Sequence, residues 1–180
     1  IIKGQSIDIQ KFIVLYGSPG TGKSTVLNIM QLLFDGYYRT FDAGALTSGN
    51  SQFALEPLKD NPLLAIDHDG DLSRIKDNTR LNSVVGHDTI SVNVKNQPMF
   101  HLKMRPILFV ATNKPVKVTD SMSGLIRRLI DVHPSGDRVH SGRYNELMQN
   151  IRFELGGIAW HCLQVYNGMG REFYSGYKPV

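Results

Sequence analysis

The chain is poor in the features that would place it outside the ordinary globular proteins. It has one cysteine, Cys162, in 180 residues. That excludes an intrachain disulfide and any multi-cysteine zinc site, and in a helix-like stretch it reads as a small core residue. No apolar run approaches the length of a membrane span, and no stretch reads as a secretory signal. Internal repeats and low-complexity segments are missing too. A large excess of one charge is lacking: 20 Lys and Arg against 16 Asp and Glu leave a net charge of +4. Such a balance permits an anionic partner without requiring one. The expected compartment is therefore cytoplasmic. An initiator Met is also lacking. The chain opens Ile1-Ile2-Lys3, so a piece of a longer polypeptide is expected, one domain by length.

What is present centres on Gly17-Ser18-Pro19-Gly20-Thr21-Gly22-Lys23-Ser24, followed by Thr25. The spacing G-x-x-x-x-G-K-[ST] lies between an apolar strand, Phe12 to Tyr16, and a helix carrying Val26, Ile29, Met30 and Leu33. That is the context of a phosphate-binding P-loop. The glycines let backbone N–H groups close around a polyphosphate. The helix that starts near Lys23 aims its positive end at the same anion. Lys23 can reach the β/γ-phosphates, and the Ser24 hydroxyl can ligate Mg2+.

Further along, a second strand is expected around Arg39-Thr40-Phe41, then a turn at residues 48–51 and a short helix through Phe53-Ala54-Leu55 that ends before Pro57. Pro62 to Asp69 is an apolar strand tipped by acids. In P-loop ATPases an acid at the end of a neighbouring parallel strand holds the Mg2+ water shell, because open α/β sheets bind ligands at strand C-termini. Asp67 is the candidate for that role. A second carboxylate should orient the attacking water. His68 stands where many ATPases have Glu, so the base is Asp69 or Asp71. Alternatively these acids cap a turn, with Asp71 as N-cap of the helix that follows. Leu72, Ile75 and Thr79 read as one face of that helix, which ends at Gly86.

Next comes strict alternation. Ile90, Val92 and Val94 alternate with polar residues, as do Phe100, Leu102 and Met104. This predicts a β-hairpin with Lys95-Asn96-Gln97-Pro98 at its tip. A cation and two amides there suit phosphate backbones, which makes Lys95 and Asn96 DNA-binding candidates. Ile107 to Thr112 is another buried parallel strand, and Asn113 after it can hold the attacking water or the γ-phosphate. Lys114 and Lys117 could also face nucleic acid. Arg127 and Arg128 run into a short strand at 129–132. They form a solvated face, or they serve as arginine fingers supplied to a neighbouring subunit's γ-phosphate. From Tyr144 the apolar spacing is helical through Tyr166, weakened or divided at Gly156-Gly157. No chemistry is expected there. Residues 174–180 read as a tail.

The order of P-loop, acid-tipped strand, Lys-tipped hairpin, Asn-tipped strand and arginine pair resembles superfamily 3 helicases of the AAA+ class, nearest the phage and plasmid primase–helicase group. Gly86-His87-Asp88-Thr89-Ile90 resembles that group's Gly-Gly-Asp-Thr-Ile phrase, with His87 in place of the second Gly. Ala111-Thr112-Asn113 resembles its motif C, and Gly124 to Leu129 its arginine-finger segment. Phe153 to Ile158 with Trp160 resembles its C-terminal helical phrase. Lys95 to Pro98 with Leu102-Lys103 resembles the DNA-binding hairpin of papillomavirus-type helicases, in whose alignment Arg128 matches the finger better than Arg127.

The resemblance implies an α/β P-loop NTPase of AAA+ type: a lead-in (1–11), an ATPase core (12–133) holding a mostly parallel sheet and an inserted hairpin, and a C-terminal helical segment (134–180). It also implies ATP and Mg2+, a ring, commonly hexameric, moving on single-stranded or forked DNA, and a fused or associated primase or polymerase. The compartment would be the host cytoplasm if the chain is phage-encoded. Two other classes stay open: a monomeric P-loop NTPase or kinase, and an oligomerisation module that binds nucleic acid with a weakened ATPase site.

Overall fold

The computed structural model describes residues 6–73, 75–117 and 124–169. After the one-turn helix α1 (Ser6–Ile9), the elements run β1 (Phe12–Tyr16), α2 (Lys23–Leu33), β2 (Tyr38–Thr40), α3 (Ala43–Thr47), β3 (Leu64–Asp67) and α4 (Thr79–Val85). They continue with β4 (Thr89–Val92), β5 (Phe100–Lys103), β6 (Ile107–Thr112), β7 (Leu129–Val132) and α5 (Ser141–Met169). Five strands form one parallel sheet in the order β2-β3-β6-β1-β7. β4 and β5 pair antiparallel as a separate hairpin, with Thr89 opposite Lys103 and Val92 opposite Phe100.

The sheet is apolar on both faces, and its alternation splits the core in two. Phe12 and Val14 of β1, Ala65 of β3, and Leu108 and Val110 of β6 point to one side, against Leu46, Leu81, Val84 and the apolar face of the hairpin. Leu15, Leu64, Ile66, Phe109 and Ala111 point to the other, where α2 covers them with Leu27 and Met30. Strands buried on both faces read as continuous apolar runs, which is why β1, β3 and β6 were legible.

Three segments differ from expectation. The helix expected at 53–55 is replaced by a 3-10 turn at Glu56–Leu58 that contains Pro57. Just before it stands α3, whose start is fixed by the Asp42 carboxylate accepting from the Ala45 N–H at 2.9 Å. The helix expected from Leu72 begins only at Thr79. Leu72 and Ile75 are buried, but the backbone here bonds outward: Lys76 and Asp77 N–H groups donate to the Thr47 carbonyl, and Lys117 N–H to that of Leu72. Asp71 is thus no N-cap of α4; its carboxylate takes the Ser73 N–H and hydroxyl.

The third difference is α5, one unbroken helix of 29 residues that passes straight through Gly156-Gly157. Among its described side chains none is buried, and Cys162 is exposed rather than in the core. Phe153 and Trp160 are 93% and 63% exposed. No helix among the described residues is long and apolar enough to cross a membrane. Met122 and the tail at 174–180 lie outside the described residues, as does the start of the lead-in.

Candidate functional site

Parallel pairing puts the C-terminal ends of β1, β3 and β6 along one edge, and the loops that leave them converge. The glycine-rich loop leaves β1. Gly17 N–H donates to the Thr112 carbonyl at 3.3 Å, tying the loop to the end of β6. Gly20 and Gly22 hold φ values of 80° and 88°, the left-handed region that glycine enters without steric cost. Gly22 stands immediately before α2, so the turn delivers the chain into the helix, whose first amides have no partner within the helix. Thr21 closes the loop by donating its hydroxyl to the Ser18 carbonyl at 2.8 Å. Lys23, only 7% exposed, donates from Nζ to the carbonyls of Gly17 at 2.7 Å and Ser18 at 2.9 Å.

The loop borders a cleft of about 800 Å³. Residues 19–26 line it, including Ser24 and Thr25, and across from them stand His68, Asp69 and Asn113. Asn113 Nδ2 donates to Asp69 Oδ1 at 3.4 Å, so the ends of β3 and β6 present one linked pair. Asp67 is not among the lining residues. Its Oδ2 accepts the Ala43 N–H at 2.8 Å and its Oδ1 the Asp69 N–H at 3.1 Å. Burial pushes the Asp67 carboxyl above the ordinary carboxylate value, with those two amides opposing. The acid that faces the cleft is therefore Asp69, while Asp67 pins α3 and the Asp69 turn to the strand.

Asp71 turns away to pair with Lys114, Nζ to Oδ2 at 2.5 Å, which holds its carboxyl well below the usual range. That pairing removes Asp71 as a water-orienting candidate and ties up Lys114; Lys117 is exposed.

The arginine pair sits in a 3-10 turn at Ile126–Arg128, at the start of β7. The register Phe12 to Leu129 and Leu15 to Val132 puts that start at the sheet edge opposite the glycine-rich loop. Four residues of strand, roughly 13 Å, separate the two ends, so neither arginine lines its own chain's cleft. Arg127 is exposed, and Arg128 is half-buried against Gly86. Arg128 Nε is buried with no hydrogen-bond partner among the described residues, and burial lowers the pKa of the guanidinium. Lys95 and Asn96 lie exposed at the hairpin tip, Asn96 with φ 60°.

Two contributions to the cleft were not expected. His68 faces it, and so do Asp137, Val139, Tyr144 and Leu147 from the segment after β7. Tyr144 and Leu147 carried only a helical-spacing signal.

The fold is found in other proteins. The apo NrS-1 C-terminal region (305–718) superposes with a TM-score of 0.62 at 19% identity, over 82% of this chain and 36% of that one. The A form of the apo NrS-1 C-terminal region gives 0.60 at 17% identity, over 80% and 35%. JCV helicase, bound to a thiazolopyridinyl-phenoxyphenyl acetamide, gives 0.50 at 17% identity, over 74% and 39%. This chain thus spans little more than a third of the length of those neighbours, and at such identities the likeness is one of fold. The model of a family of unknown function, DUF5906, matches residues 15–128, and the chain belongs to that family.

Proposed function

We propose that this chain is the motor part of a replicative DNA helicase, hydrolysing ATP at the cleft and gripping single-stranded DNA with its hairpin. The observation that carries the reading is the convergence of the glycine-rich loop, Asp69 and Asn113 around one cleft at the carboxyl edge of a parallel sheet. The likeness of fold to a protein named as a helicase supports it.

In this reading the amides of residues 20–24 and Lys23 take the β- and γ-phosphates. Lys23 exchanges the carbonyls of Gly17 and Ser18 for phosphate oxygens, a stronger charge-assisted bond. The donors fit Mg2+ delivered with the nucleotide: the Ser24 hydroxyl and the Asp69 carboxylate are hard oxygens. No cluster of three or more His, Cys, Asp or Glu among the described residues could hold a metal by itself. Mg2+ would neutralise charge on the phosphate oxygens. Asp69 and Asn113 orient the attacking water, and Asp67 positions Asp69 through its backbone. The arginine turn, far from its own cleft, serves the neighbouring subunit's γ-phosphate in a ring, commonly a hexamer. Lys95 and Asn96 hold DNA phosphates in a sequence-independent, salt-sensitive contact.

The test is the steady-state ATPase rate with and without single-stranded DNA, for wild type and Lys95→Ala. DNA should stimulate the wild type, and Lys95→Ala should lose the stimulation while keeping basal turnover. Hydrolysis indifferent to DNA in assembled wild-type rings would sink the motor reading and favour a plain NTPase.

A further inference from the structure

The family model stops at residue 128, yet the chain beyond β7 returns to the glycine-rich loop. Pro134 Cδ lies 3.3 Å from where a Cβ on Gly17 would stand. The Arg138 guanidinium and its Cδ lie 3.7 to 3.9 Å from the corresponding point on Gly20. No ion pair to Arg138 is found among the described residues. A cation is thus laid over the loop without an ion-pair partner among the described residues.

The cleft is also chemically mixed. Beside the polar His68, Asp69, Asn113 and Asp137 its lining includes the apolar Val26, Val139, Tyr144 and Leu147. Val26 and Val139 are 45% and 55% exposed, two branched side chains left uncovered beside one opening. A nucleotide is a linear molecule with a charged end and a flat, largely apolar end. If the loop and Lys23 take the terminal phosphates beside Asp69, the apolar lining that includes Tyr144 is left for the nucleoside. Clefts for such ligands run roughly 300–1,000 Å³, and this one, at about 800 Å³, holds both ends.

We propose that residues 138–147 form the nucleoside half of the site, with the base covered by Tyr144 and Val139 against Val26, and Arg138 on the phosphates. This rests on the reading of the loop as a nucleoside-triphosphate site and adds to it the part of the chain that recognises the base. It makes Tyr144 a base-binding residue and Arg138 a phosphate ligand from the same subunit, distinct from the arginine turn at 126–128.

The test is calorimetric binding of two probes, a Mg2+-loaded non-hydrolysable ATP analogue and inorganic tripolyphosphate, to the full chain and its variants. Wild type should bind the analogue on the order of tenfold more tightly than tripolyphosphate. Tyr144→Ala should erase that difference by weakening the analogue alone, whereas Tyr144→Phe should keep it. Arg138→Gln should weaken both probes by a similar factor, with far-UV circular dichroism unchanged. The inference is overturned if Tyr144→Ala leaves the preference intact or weakens both probes equally while folded. It is overturned equally if Arg138→Gln changes neither. Wild type that binds neither probe overturns the nucleotide reading itself, a result distinct from binding both without preference, which removes only the base slot.

Discussion

Gly70 makes the sharpest test of how the candidate site is built. It follows Asp69 and donates its N–H to the Ala111 carbonyl at 2.9 Å, which ties the turn after β3 to β6. A Cβ at Gly70 would stand 2.5 Å from Val110 Cγ1 and 2.8 Å from Asp67 Oδ2. Neither neighbour can yield cheaply. Val110 is fully buried and β-branched, hence stiff at χ1, and Asp67 Oδ2 is held by the Ala43 N–H. Overpacking of a tight interior costs about 1–3 kcal/mol. With two rigid contacts both under the 3.0 Å that a Cβ can reach without something shifting, Gly70→Ala belongs at the upper end, about 2–3 kcal/mol. For a chain of this length each kcal/mol moves Tm by about 2–4 °C, so Tm should fall by about 4–12 °C. Thermal unfolding followed by circular dichroism, with urea titration beside it, reads the effect. In the background of Val110→Ala the cost of Gly70→Ala should shrink, because the closest clash is gone. A Tm drop under about 2 °C, or an undiminished cost beside Val110→Ala, would refute the packing described here.

Four further outcomes are expected. Gly156→Ala and Gly157→Ala meet nothing within 4 Å inside a continuous helix; each should stabilise by up to about 1 kcal/mol and raise Tm by about 2–4 °C, and a lowered Tm would mean the helix is not continuous there. Asp67 has its folded pKa raised above 3.8, so its contribution to stability is largest at acid pH and falls as pH rises through the folded pKa; urea unfolding between pH 3 and 7, at roughly unit steps, should show that decline in wild type and a flatter profile in Asp67→Asn. The Asp71–Lys114 pair works in the opposite sense, since Asp71 is lowered: its stabilisation is present above the ordinary carboxylate range and lost as pH falls through the depressed folded value, so Lys114→Ala should differ from wild type at neutral pH and converge with it in strong acid. Finally, Lys23→Ala and Arg128→Ala chains mixed in one preparation should recover part of the hydrolysis each lacks alone, because a mixed ring contains intact interfaces; a monomeric NTPase predicts none.

Strands, hairpin and loop were legible because each leaves a local mark. β1, β3 and β6 are continuous apolar runs, the hairpin alternates with period two, and the loop is fixed in spacing. The order of the strands was not legible from periodicity, because register is set by packing between elements. Leu72 and Ile75 show how spacing misleads: they sit three apart and are buried, as a helix would have them, but their stretch bonds outward to Thr47 and Lys117. α3 has five residues and no period to detect, and only its cap, Asp42, was a signal. The sequence marks an acid-tipped strand at β3, but which acid faces the cleft depends on Asp67 accepting two amides, one from a helix that had not been foreseen. The far side of the cleft was invisible for a related reason. Tyr144 and Leu147 look like helix-face residues in sequence, Val139 carries no signal at all, and the place of the helix residues beside the loop exists only once α5 is set against α2.

The arginine turn and the hairpin root meet at one joint, and that joint bears on which arginine is free to act. A Cβ on Gly86 would stand 3.4 Å from Arg128 Nη2 and 3.5 Å from Asp88 Oδ2. Asp88 is the residue before β4, and its carbonyl accepts the N–H of Met104, just beyond β5. Both hairpin strands are thus anchored where Arg128 lies. The family resemblance points to Arg128 as the finger, whereas in the structure Arg127 is the exposed member of the pair and Arg128 the half-buried one. Arg128 Nε is buried with no partner among the described residues, a position that costs free energy and that a stronger acceptor would relieve. Any movement of Arg128 out of this place would vacate the space over Gly86 and beside Asp88, at the foot of the hairpin that carries Lys95.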